Sequence, residues 1–438
     1  MKARKTGATV VRAGGLVLAF AALLVAACAI PAVAAGATGS GPGHNDADLV
    51  VLLASTDLKT AAMERKALRP FLKSLTPRLR VAFVSVKRIL HRASSDSLTP
   101  EMVRDYLRSR FTWRASTETR PRYLGIFAPP TPYYTGTLST LPAIPRFTIN
   151  TGTNVFPTDV PYEFLSSDTI DGGDGTVDPG DLDVTAPTFE VFRVPVTEVD
   201  DFTTFTRRHE IFSSAPYRSD ATLVAGHFGL FEGDTSFVQC VNANNIGPSG
   251  LATHVLKVFD SMTQCQPDVL TTAAGPTLAD VLADPNGGFH GGFIVDISHG
   301  NSFAIYADPG SYENLSASDV ASIPTDRLNV FISLACDNDG SDSLPNLAAV
   351  MYARASVAVI SATTSVFPVN VQDILFAEVD SVSGLWQQNV NLLQGFHVFR
   401  SEYYTRFVQP ATGVEREELW VNVMTEQLIG DGFVRAAR

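Results

Sequence analysis

The sequence predicts an α/β chain whose core is a mostly parallel sheet. Three observations carry that expectation. Short apolar, β-branched blocks recur and stop abruptly in polar, glycine-containing loops, as strands buried on both faces do. Segments of helical periodicity separate the blocks, the alternation that crossover-connected parallel strands require. Two blocks, closing at His299-Gly300 and at Cys336, end in groups capable of chemistry. Open α/β sheets collect chemistry at the carboxyl ends of their strands.

The first block, Leu49 to Ala54, reads as a buried strand. Leu58 to Leu75 carries Ala61, Ala62, Leu68, Phe71, Leu72 and Leu75 at roughly helical spacing. Leu79 to Val86 is a second strand. Thr99-Pro100 opens a helix with a capping hydroxyl and a proline in the first turn, and Val103, Tyr106, Leu107 and Phe111 form its apolar face. Tyr123 to Phe127 is a third strand. Residues 47–187 are expected to form a supporting α/β subdomain without a catalytic constellation, and residues 130–188 read as irregular and rich in Pro, Thr and Gly.

The second unit is expected over 188–438. Thr197 caps a helix running to Phe212. Strands follow at Leu223 to Ala225, Val255 to Phe259, Phe293 to Ile297, Leu328 to Leu334 and Val357 to Ser361. Helices fill the gaps at Leu344 to Ala355, Gln372 to Val382 and Trp386 to Val408. A short crossover helix is expected over Ser316 to Ile323.

A length of 438 residues accommodates two or three structural units at roughly 100–200 residues each. A hydrophobic share of 45% and a charged share of 18% describe a globular protein with ample core. The net charge of −12 argues against nucleic acid and against anionic membrane surfaces as partners. Residues 1–35 read as a targeting segment: a basic leader of Lys2, Arg4, Lys5 and Arg12, then an apolar stretch from Gly14 to Ala27. Two cleavage sites compete. Ala32-Val33-Ala34 fits cleavage after Ala34, while Val25-Ala26-Ala27-Cys28 resembles a lipobox that would leave a lipidated Cys28. Membrane attachment is expected only through that anchor. A Gly/Ser/Pro linker over 36–46 precedes the fold.

Export gives the remaining cysteines meaning. An oxidising compartment favours a Cys240–Cys265 disulfide and leaves Cys336 as the odd, free thiol; the alternative is three reduced, buried cysteines. Between Asp168 and Asp181, carboxylates interleave with glycines. Counted from Ile170, Asp174, Gly175, Asp178 and Asp181 fall on positions 5, 6, 9 and 12 of an EF-type loop, but positions 1 and 3 lack carboxylates. A structural calcium and a solvated turn both fit.

The chemistry sits in the two blocks named first. A thiolate is the reactive form of cysteine, and a nearby imidazole can take its proton or lower its pKa. If the strands ending at His299 and Cys336 are neighbours, both groups reach one rim, and the amides of Gly300 and Cys336 can face the oxygen of an attacked carbonyl. Asp296 is a tempting orienter for His299, but in a regular strand the two positions point to opposite faces. His209-Glu210 lacks a second histidine four residues on, so no zinc-protease helix forms, and His209 reads as a helix-surface or satisfied core-edge residue.

A hydrophobic block ending in His-Gly, then a second ending in Ala-Cys, resembles the caspase–legumain–gingipain clan of cysteine peptidases. The flanks are most similar to the gingipain family. Phe189 to Val196 resembles its "gRlPv" segment, Ala221 to Gly226 the strand after it, and Ser356 to Thr364 the strand after the catalytic cysteine. Gln427 to Asp431 resembles its "lfGDP" segment, with Gly432 in place of Pro. The resemblance implies a caspase-like three-layer sandwich preceded by a smaller α/β subdomain. It also implies a cysteine endopeptidase acting on proteins or peptides, with His299 as acid/base, Cys336 as nucleophile and no cofactor required. The primary pocket would be shaped by loops holding Glu232 and Asp234, then Thr364 and Phe367. The competing expectations are a catalytically silent binding module on the same fold and a sortase-like transpeptidase.

Overall fold

Strand β1 (Leu49–Leu53) is buried at all five positions, as its apolar run on both faces requires of a central parallel strand. The computed structural model describes residues 47–75, 79–111, 122–129, 139–151, 154–165, 187–225, 252–257, 292–297, 299–301, 303–306, 314–321, 328–333, 335, 339, 346–364 and 390–435. Helix α1 (Leu58–Ser74) begins at Asp57, whose side chain accepts the Thr60 N–H at 2.8 Å. Strand β2 (Val81–Ser85) runs straight into α2 (Val86–Ala93), a helix not expected from the sequence, with no Gly or Pro at the boundary. Helix α3 (Pro100–Phe111) and β3 (Tyr123–Phe127) follow as expected, and β1 pairs in parallel with both β2 and β3.

The stretch expected to be irregular contains an antiparallel hairpin of β4 (Phe147–Asn150) and β5 (Val155–Thr158). Strand β6 (Glu190–Val194) then pairs in parallel with β3, so one sheet runs on from the first unit into the second. Helix α4 (Val199–Ser214) is capped at Glu198, not Thr197. The physical reason is Asp201, whose carboxylate accepts the N–H groups of Thr197 and Glu198 at 2.6 and 3.1 Å and the Thr197 hydroxyl at 2.9 Å.

Strands β7 (Asp220–Ala225), β8 (Ala252–Lys257) and β9 (Phe293–Ile297) continue the sheet. A small antiparallel sheet of β10 (His299–Asn301), β11 (Ala304–Tyr306) and β12 (Asn314–Ser316) leads to a one-turn helix α5 (Ala317–Val320). After β13 (Asn329–Ser333) come α6 (Leu347–Arg354) and β14 (Ser356–Ala362). Helix α7 (Leu392–Tyr403), which passes into a π-helical turn to Val408, and α8 (Gly413–Thr425) precede the last strand, β15 (Glu426–Gly430). The helix expected over 372–382 lies outside the described residues. The ten-stranded sheet has the order β2-β1-β3-β6-β15-β14-β13-β9-β7-β8, antiparallel only between β14 and β15.

Two residues of the "lfGDP"-like segment now have physical reasons. Gly430 has φ +97°, and a Cβ there would lie 2.4 Å from the Val357 carbonyl oxygen, so only glycine fits. Asp431 is wholly buried and accepts from Nδ1 of His209 on α4. Nε2 of that imidazole meets the Ser74 hydroxyl at 2.8 Å, and Ser74 in turn donates to the Phe71 carbonyl at 2.6 Å. Ser74 has no proton left for the imidazole, so this Ser–His–Asp trio is a lock between α1, α4 and the C-terminal segment rather than a nucleophile.

The lock titrates. Burial pushes the His209 pKa down, but the charge and hydrogen bond of Asp431 outweigh it, and the net direction is upward. Glu64, fully buried on α1, is pushed up from 4.5 to about 7 by burial. Each group binds its proton more tightly folded than unfolded. Its contribution is therefore complete below the unfolded pKa, about 6.5 for His and about 4.3 for Glu, and is lost as pH rises through the folded value. Urea unfolding is expected to show stability falling between about pH 5 and pH 8. Glu64→Gln should flatten the lower part of that slope and His209→Gln the upper part; a slope unchanged in both variants would contradict the assignment.

Candidate active site

Strands β9 and β13 are parallel neighbours, with Ile294 paired to Phe331 and Asp296 to Ser333. This is the adjacency on which the sequence reading depended. His299 follows Asp296 by three residues, and Cys336 follows Ser333 by three, so the two segments leave the sheet from paired positions at one rim. The backbone at His299 opens β10 and pairs with Tyr306, and half-buried Gly300 pairs with Ile305. The side chain of His299 and the whole of Cys336 lie outside the described residues.

Ser333 and Ala335 before Cys336 and Asp339 after it are described, and all three are buried. Ser333 ends β13 and donates its hydroxyl to Asp296 Oδ2 at 3.0 Å, both residues being fully buried. The same hydroxyl accepts the Ala335 N–H at 3.3 Å. Asp296 thus holds the strand end that leads into the cysteine, a role its position in sequence did not suggest. Beyond the cysteine, the Asp339 N–H donates to the Ala362 carbonyl at 3.0 Å, tying the loop to the end of β14.

The remaining site residues are placed unevenly. Thr364 is half-buried just past β14. Its neighbour Thr363 is buried and donates to the Pro157 carbonyl at 2.8 Å, which makes it part of the scaffold. Glu232, Asp234 and Phe367 of the expected pocket lie outside the described residues, as do the Asp174, Asp178 and Asp181 loop and the Cys240–Cys265 pair. Among the described residues no cluster of His, Cys, Asp or Glu is arranged to hold a metal ion. A cavity of about 590 Å³ lies elsewhere, by the edge strand β2, where Arg65, Lys87, Arg88, His91, Arg92 and Arg110 line it.

A mostly parallel sheet with β9 and β13 ending side by side is the frame of an α/β cysteine-type peptidase. The chain belongs to peptidase family C25, whose model matches residues 44–436. No curated protein sequence matches it. Among solved structures, one described as a protease superposes with a TM-score of 0.60 at 12% identity, covering 89% of this chain and 78% of the other. The Arg-specific cysteine proteinase gingipain R superposes with a TM-score of 0.58 at 13% identity, over 91% and 80% of the two chains. The complex of the pro- and mature domains of RgpB from Porphyromonas gingivalis gives 0.57 at 14% identity, over 89% and 79%. At these identities the superpositions establish the fold, which agrees with the sandwich expected from the sequence.

Proposed function

We propose that this family C25 peptidase is an exported endopeptidase working through a His299/Cys336 dyad. The observation that carries the reading is the paired departure of the two segments from Asp296 and Ser333 at one sheet rim. In this mechanism His299 takes the thiol proton and the Cys336 thiolate attacks the carbonyl carbon of the scissile peptide bond. The amides of Gly300 and Cys336 stabilise the oxyanion. The imidazolium gives its proton to the leaving amine, which departs as the C–N bond breaks. Water, deprotonated by the same imidazole, then hydrolyses the thioester and regenerates the thiol.

Residues 1–35 support export, either by cleavage after Ala34 or through lipidation at Cys28. Thr364 and Phe367 are proposed as pocket residues, with Glu232 or Asp234 as an acid that would select Arg or Lys. The chemistry requires no cofactor; a calcium ion at Asp174, Asp178 and Asp181 would tie a loop, and a Cys240–Cys265 bridge would leave Cys336 free.

The test is a peptide library incubated with the mature protein under reducing conditions, with and without prior iodoacetamide, followed by mapping of the alkylated cysteine. Internal cleavage that is lost on alkylation at position 336 is the expected result, because an activated thiol reacts where a packing cysteine does not. Unimpaired cleavage by protein alkylated at Cys336 would overturn the dyad. No cleavage together with an inert Cys336 would overturn the enzymatic reading of this rim.

A further inference from the structure

We propose that Arg146 is a positioning residue for the Cys336 loop, acting through Asp339; this rests on Cys336 being the nucleophile. The two residues are far apart in sequence, and the fold places them together. Arg146 lies just before β4, and its Nη2 is 2.7 Å from Asp339 Oδ2, three residues beyond Cys336. Both side chains are buried, with 2% and 1% of their surface exposed. Asp339 Oδ1 also accepts Nδ2 of Asn346 at 3.3 Å.

Arg146 is itself held from the supporting half of the sheet. Its Nε lies 3.6 Å from Asp159 Oδ2. Arg193 on β6 grips that same carboxylate with both arms, Nε at 2.7 Å and Nη2 at 2.6 Å. Nη1 of Arg193 donates to the Ile144 carbonyl at 2.9 Å, two residues before Arg146. Burial raises the Asp159 pKa, but the two guanidiniums outweigh it and hold the carboxyl below its usual range. Two guanidiniums and two carboxyl groups thus form a buried chain from β6 to Asp339, where burial outweighs the Arg146 charge and raises the carboxyl pKa.

Such a chain contributes little net stability beside well-packed apolar groups. What it restricts is position, because a buried charge is strongly penalised when its partner moves away. The loop is gripped twice: Ser333, three residues before Cys336, is held by Asp296 of β9, and Asp339, three residues after, by Arg146. A thiolate displaced by about 1 Å from attack geometry can lose on the order of 10²-fold in rate. The distant half of the sheet thereby fixes Asp339, three residues beyond the proposed nucleophile.

The experiment uses the full chain and compares wild type with Asp339→Asn and Arg146→Lys. Asp339→Asn is expected to lower kcat by about 10- to 100-fold with KM within about two-fold, and to slow alkylation of Cys336 by iodoacetamide. Arg146→Lys, which keeps a buried positive charge but moves it relative to Asp339, is expected to show the same pattern at a few-fold scale, and decides the matter should Asp339→Asn not fold. Folded variants with wild-type kcat and alkylation rate, whatever their melting temperature, would overturn the proposal while leaving the dyad intact. A wild type without turnover and with an inert Cys336 would instead remove the reading on which it rests.

Discussion

Cys336→Ala is expected to lower kcat/KM by on the order of 10³-fold or more, with little change in the urea midpoint. The proposed reaction passes through a bond between sulfur and acyl carbon, and alanine removes the atom that forms it. The stability change should be small, since the substitution adds no bulk and breaks none of the hydrogen bonds that hold the loop through Ser333 and Asp339. His299→Ala should lose a comparable factor, because the imidazole forms the thiolate, protonates the leaving amine and deprotonates the attacking water. The double variant should be no slower than the slower single variant, because nucleophile and base act as one unit. Additive losses would show two independent contributions and would contradict a dyad.

Arg193→Met carries the largest expected cost in stability, about 3–5 kcal/mol, because it leaves a buried carboxylate without its principal partner. Arg193 makes both close contacts to Asp159, whereas Arg146 stands 3.6 Å away and is engaged with Asp339. In the wild type the depressed pKa of Asp159 contributes stability above its unfolded value of about 3.9, lost as pH falls through the folded one. The cost of Arg193→Met should accordingly shrink in acid, where Asp159 in the variant can take up a proton. Adding Asp159→Leu should recover part of the loss, since the orphaned charge goes with it. Urea midpoints for the single and double variants at two pH values decide this; a double variant no more stable than the single would refute the account.

What the sequence discloses follows from how local each cause is. The strand over Phe293–Ile297 is legible to the residue because Gly291-Gly292 and Ser298-His299-Gly300 punctuate an apolar run. The rim follows once β9 and β13 are neighbours. Helix α2 escapes because the strand and helix share a boundary at Ser85/Val86 with no Gly or Pro between them. The β4–β5 hairpin escapes because each strand is four residues long and Pro157 lies inside one. The charge chain from Arg193 to Asp339 leaves no trace in spacing, since its four members lie on separate segments that only the folded sheet assembles. Arg193 was visible as a motif letter; its work on Asp159 and Ile144 was not.

The position of β15 has a consequence for how the chain reaches this state. The last strand in sequence sits in the middle of the sheet, parallel to β6 on one side and antiparallel to β14 on the other. The half built by β1, β2, β3 and β6 has no strand pairing with the half that carries the candidate active site except through β15, which lies between them. A chain emerging from its N-terminus can collapse each half early, but the seam closes only after Gly430 has appeared. Because that seam joins strands distant in sequence, its closure is the slow, late event of folding. Catalytic competence should then arrive abruptly, as the final strand completes the sheet.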